Sequence, residues 1–345
     1  MRVTAALLPV AVVLTACRVD PAPEALELRG ETMGTTYAVA VTRTSSQLTR
    51  ETVEDAAVGI LARVDSLMST WREDSELTRF NRSRGSEWFA VSQETALVVE
   101  EALRVSELSS GAFDPTVLPL VELWGFAGAP VESLPPARGA LSHARGRVDA
   151  RQLRVRATPP ALRKERANLE VDLSSIAKGY AVDRIAEALT AIGATDFLVE
   201  IGGELRAAGR NRRGEAWRVA VEQPTLERGR VQTLVALRDE AIATSGSYRN
   251  YAARGGERFA HILDPATGAP PASGVVSTSV VSPTAMRADA LATALFAMGP
   301  ERGVELAERE GVGVLFLVID EDGLRELSNA AFDARRIPAA PPGRE

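Results

Sequence analysis

Apolar positions along this chain follow two rhythms, one near the helical repeat and one alternating or β-branched. Val53, Ala57, Ile60, Leu61, Val64 and Met68 fall at helical spacing and predict a helix over Arg50–Met68. Val98, Val99, Ala102, Leu103 and Val105 give Ser92–Ser109 a second apolar face, with Gly111 placed to cap its C-terminus. Ser175–Ile192 reads as a third helix closed by Gly193, and Ala285–Met298 and Arg302–Glu310 read as two more. Leu26–Thr42 is rich in Thr, Tyr and Val and predicts one or two strands broken at Gly30–Gly34. Further strands are expected at Phe197–Ile201, Trp217–Glu222, Val231–Leu237, Ala241–Ser245 and Val275–Val281. Val314–Ile319 and Leu324–Leu327 read as a closing pair around Asp322-Gly323, and Pro130–Arg156 as a surface hairpin or excursion. Strands and helices do not alternate regularly, so the pattern predicts an α+β fold rather than a doubly wound sheet. No internal repeat is visible.

The N-terminus follows neither rhythm. Val3–Leu14 is apolar apart from Thr4 and Pro9, behind Met1 and Arg2. A bilayer span takes ~20 apolar residues; this run has instead the length of a signal-peptide core. Leu14-Thr15-Ala16-Cys17 resembles the bacterial lipobox, so residues 1–16 are expected to be a lipoprotein signal peptide and Cys17 to carry lipid. Pro21 and Pro23 make residues 17–25 read as an extended tether. Residues 336–345 read as a flexible, Pro-rich tail.

Composition narrows the chemistry. Apolar residues make up 45% of the 345, enough for one large core or two closely packed ones. The formal charge of −6, from 46 acidic and 40 basic residues, comes without a basic block, so no nucleic-acid partner is expected. Cys17 is the single cysteine, so no internal disulfide can form. His143 and His261 are the two histidines, too few for a zinc site of His and Cys. A metal here should be a hard cation held by oxygen, such as magnesium.

Four segments could carry chemistry. Asp289 and Thr293 are four apart on a predicted helix and share one face. They suit a magnesium ion with ligand phosphates, and equally a buried Asp capping a neighbour. Asp172-Leu173-Ser174-Ser175 runs from extended chain into a helix start, where free N–H groups favour an anion. Lys178 in that first turn opposes the dipole, which makes sense if it neutralises a phosphate. A capped helix with an incidental lysine fits as well. Phe113, in the turn Gly111–Thr116, and Trp124 offer either a flat surface to an aromatic ligand or ordinary core. His261 has a pKa suited to a general base, though a structural histidine fits a strand end. Gly202-Gly203-Glu204 and Ser245-Gly246 allow close backbone approach to a ligand. No P-loop or Rossmann glycine pattern is present.

Taken in order, these pieces resemble the FAD:protein FMN transferase family, also called ApbE-like. The matching segments are Met33–Tyr37, Asp65–Trp71 with Ser75-Glu76-Leu77 and Phe80-Asn81, and Gly111–Thr116 with Leu123–Phe126. They continue with Asp172–Asp183, Glu200–Glu204, Ala243–Gly246 with Tyr248-Arg249, His261–Gly268 and Ala288–Thr293. The resemblance implies mixed, largely antiparallel sheets with packed helices in a single domain over residues 26–335. It implies an enzyme that splits FAD at its pyrophosphate, attaches FMN through a phosphoester to a Thr or Ser of an acceptor protein, and releases AMP, with magnesium required. The metal site it implies is Asp289, Thr293 and the carbonyl of Ser175. Its FAD contacts would be Met33, Trp71, Ala112, Phe113, Asp114, Asp172, Lys178, Leu263 and Ala292. Trp71 stands where some relatives have Tyr. Lys178 and His261 are the expected catalytic groups, His261 as base. With the lipobox, the expected location is the bacterial cell membrane, lipid-anchored and facing the periplasm, on the inner membrane. A magnesium-dependent FAD pyrophosphatase and a non-catalytic lipid-anchored flavin-binding protein are the alternatives.

Overall fold

The computed structural model describes residues 25–43, 48–128, 134–225, 229–247, 251–254 and 257–338. Cys17, the tether before Ala25, Tyr248-Arg249 and residues 339–345 lie outside them. The first half of the chain forms β1 (Leu26–Thr32), β2 (Thr35–Arg43), α1 (Arg50–Met68), α2 (Glu76–Arg82), β3 (Phe89–Ala90), α3 (Gln93–Leu108), α4 (Leu118–Leu123), α5 (Arg138–Arg145), β4 (Leu153–Ala157) and β5 (Pro160–Lys164). Then come α6 (Ala177–Ala191), β6 (Asp196–Ile201), β7 (Glu204–Ala208), β8 (Trp217–Glu222), β9 (Val231–Leu237), β10 (Ala241–Gly246), β11 (Tyr251–Arg254) and β12 (Glu257–Ala260). The chain closes with β13 (Val275–Ser282), α7 (Ala285–Met298), α8 (Pro300–Arg309), β14 (Gly313–Asp320), β15 (Gly323–Ser328), α9 (Ala330–Asp333) and β16 (Arg336–Ile337).

Eight strands make one antiparallel sheet in the order β1-β2-β6-β7-β10-β13-β14-β15. Toward its centre both faces are buried, which explains unbroken apolar runs such as Val314–Val318. On β14, Val314, Phe316 and Val318 join the core that α6 and α7 share. Leu315 and Leu317 join the opposite core, with Trp217, Val219, Val235 and Phe332. That second core lies under a small sheet, β16-β9-β8. Removing a side chain such as Phe316 from water stabilises the fold by about 2–3 kcal/mol. A third sheet, β3-β5-β4, packs with α3.

Local sequence sets the element ends. Thr49 accepts from the Thr52 N–H and opens α1; Ser92 does the same for α3 with Thr95. Met33 and Gly34 take φ of 46° and 72°, the mirror-image turn that a two-residue hairpin needs. The break in the first strand segment therefore falls at Met33-Gly34 alone, with Gly30 inside β1. The expected excursion at Pro130–Arg156 contains α5 and the first strand of the β4–β5 hairpin. α2, α4 and α9 are too short for a periodic signal, and β7 follows directly on a pair of glycines. Arg336–Ile337, expected to begin the tail, pair with Val235 and Leu234 of β9. Among the described residues no helix is long and apolar enough to cross a membrane.

Candidate active site

α6 and α7 cross at Gly179, where an added Cβ would lie 2.3 Å from the Ala285 carbonyl oxygen. This contact brings Asp289 of α7 onto the first turn of α6. The Gly179 N–H donates to Asp289 Oδ2 at 3.0 Å, and not to the Ser175 carbonyl four residues back. Thr293, one turn along α7, is 3.0 Å from Ser245 Oγ on β10. Lys178 Nζ donates to the Ser174 carbonyl at 3.1 Å and sits 3.4 Å from Glu204 Oε1 and 3.8 Å from Asp289 Oδ2. Asp172 turns the chain toward α6 by accepting the Ser174 N–H at 2.8 Å.

Asp172, Glu204 and Asp289 are all buried. Burial raises the pKa of each carboxyl, that of Glu204 to about 8, against the pull of Lys178. Burial alone would lower Lys178, but Asp289 and Glu204 outweigh it and raise its pKa above the ordinary lysine range. Three carboxylates acting on one ammonium leave an uncompensated double negative charge when ionised. Glu204 Oε2 is buried with no hydrogen-bond partner. Among the described residues no cluster of three or more His, Cys, Asp or Glu could hold a metal. A cation here would draw on Asp289, the Thr293 hydroxyl and the freed Ser175 carbonyl. That all-oxygen set and the charge deficit suit a hard divalent ion.

Beside this centre lies a cavity of ≈ 170 Å³ lined by Asp172, Ser174, Ser175 and Thr293 on one side. Its other walls carry Trp71, Ala112, Phe113, Phe126, His261 and Leu263. Trp71 is 70% exposed at the mouth and lies against Gly128, where a Cβ would come within 2.5 Å of its ring. The His261 ring stands edge-on to Phe126, centroids 6.2 Å apart. Phe113 is buried, its N–H held by Ser109 Oγ at 3.0 Å.

Most of the sequence-predicted residues converge here, with particular departures. Asp114 lines the cavity, but its oxygens accept from the Thr116 N–H and hydroxyl and from the Ala150 N–H, so it ties two loops together. Burial raises its pKa. Met33 packs on the main core and Ala292 is buried within it; neither lines the cavity. Of the two readings open for Trp124, ligand surface or ordinary core, it takes the second: its Nε1–H donates to the Gly268 carbonyl at 2.8 Å and its ring packs on Phe259. Phe126, two residues on, is the ring that faces the cavity. The Glu204 side chain had no sequence signal beyond its place after two glycines. Cys17 lies outside the described residues.

An antiparallel α+β protein with a buried acid–lysine centre beside an aromatic-walled cleft is the class that fold and site define. The sequence profile described as the ApbE family matches residues 33–316. FAD:protein FMN transferase of Vibrio cholerae is 42% identical over 309 residues, covering 90% of this chain and 92% of the relative. The protein of that name from Haemophilus influenzae is 38% identical over 336 residues, 94% and 96% of the two chains. The solved flavin transferase ApbE of Vibrio cholerae superposes with a TM-score of 0.83 at 41% identity, over 90% of this chain and 99% of that one. The ApbE protein of Thermotoga maritima gives 0.82 at 30% identity, over 91% and 100%. The chain belongs to the ApbE family.

Proposed function

We propose that this protein is a magnesium-dependent FAD:protein FMN transferase. The observation that carries the reading is the Asp289–Lys178–Glu204 centre with Thr293, set beside a cleft walled by Trp71, Phe113 and Phe126. Relatives at 38–42% identity are named FAD:protein FMN transferase. In the reaction, a Thr or Ser hydroxyl oxygen of an acceptor protein attacks the FMN-side phosphorus of FAD. A new P–O ester bond forms, the pyrophosphate P–O bond breaks, and AMP leaves with the electron pair. Magnesium, held by Asp289, Thr293 and the Ser175 carbonyl, would supply charge neutralisation at the pyrophosphate. Lys178 would contribute a positive charge beside the phosphate, and the aromatic walls would orient the flavin. His261, which lines the cavity, would take the hydroxyl proton. Lipidation at Cys17 would hold the enzyme on the periplasmic side of a bacterial cell membrane, on the inner membrane, among membrane-bound or extracytoplasmic redox acceptors.

The test is incubation of the protein with FAD, magnesium and an acceptor domain. The acceptor should gain the mass of FMN as AMP appears. Free FMN and AMP with no mass gain would make the protein a pyrophosphatase. Stoichiometric FAD binding without AMP release would make it a flavin carrier. Asp289→Ala should lose nearly all turnover and its magnesium response while keeping its circular dichroism, because α7 is otherwise held by alanine and leucine packing. Near-normal turnover in that variant would remove the metal assignment.

A further inference from the structure

We infer that Glu204 is a positioning residue that holds Lys178 away from Asp289 and so keeps Asp289 open to the divalent cation. The inference rests on the cation reading above. Glu204 is rigidly placed. It starts β7 immediately after Gly202 and Gly203, whose φ values of 61° and 105° set a tight turn. That turn is clamped: the Gly202 N–H donates to the Thr36 carbonyl at 3.0 Å and the Gly203 N–H to Glu200 Oε1 at 2.8 Å. The Thr35 side chain covers Gly202, with Cγ2 2.9 Å from where a Cβ would stand. The Glu204 side chain is 5% exposed.

Lys178 reaches on a long stem to the Ser174 carbonyl, 3.1 Å from Nζ, with two carboxylates also within 4 Å. Its Nζ is closer to Glu204 Oε1 at 3.4 Å than to Asp289 Oδ2 at 3.8 Å. An ammonium and a divalent cation cannot both neutralise Asp289 without repelling each other. With Glu204 uncharged, Asp289 would be the remaining carboxylate within 4 Å of Nζ, and the lysine would compete with the cation for it. The second Glu204 oxygen is buried and unpartnered. Most buried side-chain polar atoms have a hydrogen-bond partner, so a buried carboxylate oxygen without one calls for an explanation. An unpartnered carboxylate oxygen beside the Lys178 ammonium is what a holder for that ammonium presents.

The experiment measures Mn²⁺ binding by electron paramagnetic resonance on the full chain without flavin, a readout independent of turnover. Four proteins are compared: wild type, Glu204→Gln, Lys178→Met and the double variant. Glu204→Gln should weaken Mn²⁺ binding about tenfold when Lys178 is present and less than about twofold when it is methionine, the coupling expected of directly interacting residues. An equal loss in both backgrounds would overturn the inference, since Glu204 would then act on the cation itself. Should Glu204→Gln not fold, Glu204→Asp carries the same comparison, keeping the charge but retracting it from Lys178. If wild type takes up no stoichiometric Mn²⁺, the cation reading falls and the inference with it. If it binds and the background makes no difference, the inference alone falls.

Discussion

Lys164 is a buried ammonium outside the site, and its surroundings show what this fold does with charge. Its Nζ donates to the carbonyls of Asn81 at 2.8 Å and Ser83 at 3.1 Å, closing the end of α2. The ring of Phe80 lies 4.9 Å below it. Asn81 in turn brackets Val171, donating to its carbonyl and accepting its N–H at 2.8 Å each, one residue before Asp172. Burial lowers the Lys164 pKa from 10.5 to about 8. The folded state then binds fewer protons than the unfolded chain between pH 8 and 10.5, so this residue's contribution to stability rises with pH across that window. Urea denaturation of wild type and Lys164→Met at several pH values should show the wild type gaining on the variant as pH increases. A constant difference would refute it. Nothing in the sequence marks Lys164, because a lysine in a strand ordinarily faces water. Asp289 was legible because alanines and leucines surround it. Glu204 was not, because a Gly-Gly-Glu run reads as a loop, and which way its side chain turns is decided by pairing with β6. The choice between Trp124 and Phe126 was equally hidden, since both rings lie in one short turn after α4.

At the scale of elements, the α6–α7 crossing sets the site. Asp183 of α6 accepts from the Ala285 and Met286 N–H groups at 2.9 Å each, capping α7, and pairs with Arg206 Nη1 at 2.6 Å. Gly179 lets the two backbones meet. Gly179→Ala should therefore cost about 1–3 kcal/mol by overpacking. It should also weaken metal binding, because the displaced backbone carries the N–H that holds Asp289. Chemical denaturation and a Mn²⁺ titration check the two parts; unchanged stability would mean that the helices part without strain. Long helices with strong apolar faces, α1, α3, α6 and α7, were readable from the sequence, and so were strands with β-branched runs. α2, α4 and β7 were not, because each is ordered by tertiary contacts rather than by a periodic pattern of its own.

The molecule as a whole is held under electrostatic tension around one centre. Burial raises the pKa of the Glu204 carboxyl above its ordinary 4.5, against the pull of Lys178. A carboxyl with a raised folded pKa loses stabilising effect as pH climbs above 4.5, because the unfolded chain ionises first. A divalent cation bound at Asp289 would favour the ionised carboxylates. Its stabilisation of the protein, read as a rise in melting temperature, should be larger at pH 8 than at pH 5.5; equal rises would place the ion elsewhere. The architecture was legible as α+β, whereas the strand order was not, since β2 reaches across to β6 and pairs Tyr37 with Ile201. That long reach has a consequence in time. The centre draws on Lys178, Glu204 and Thr293, and the cleft on Trp71, so residues far apart in the chain must meet before any of it exists. A nascent polypeptide that has lengthened only as far as β12 has its lysine and glutamate but no helix to bring the aspartate. Synthesis and folding therefore yield a chemically silent chain until its last third is in place, and such non-local closure is intrinsically slow. Reactivity toward a dinucleotide would switch on late and at once, when α7 docks.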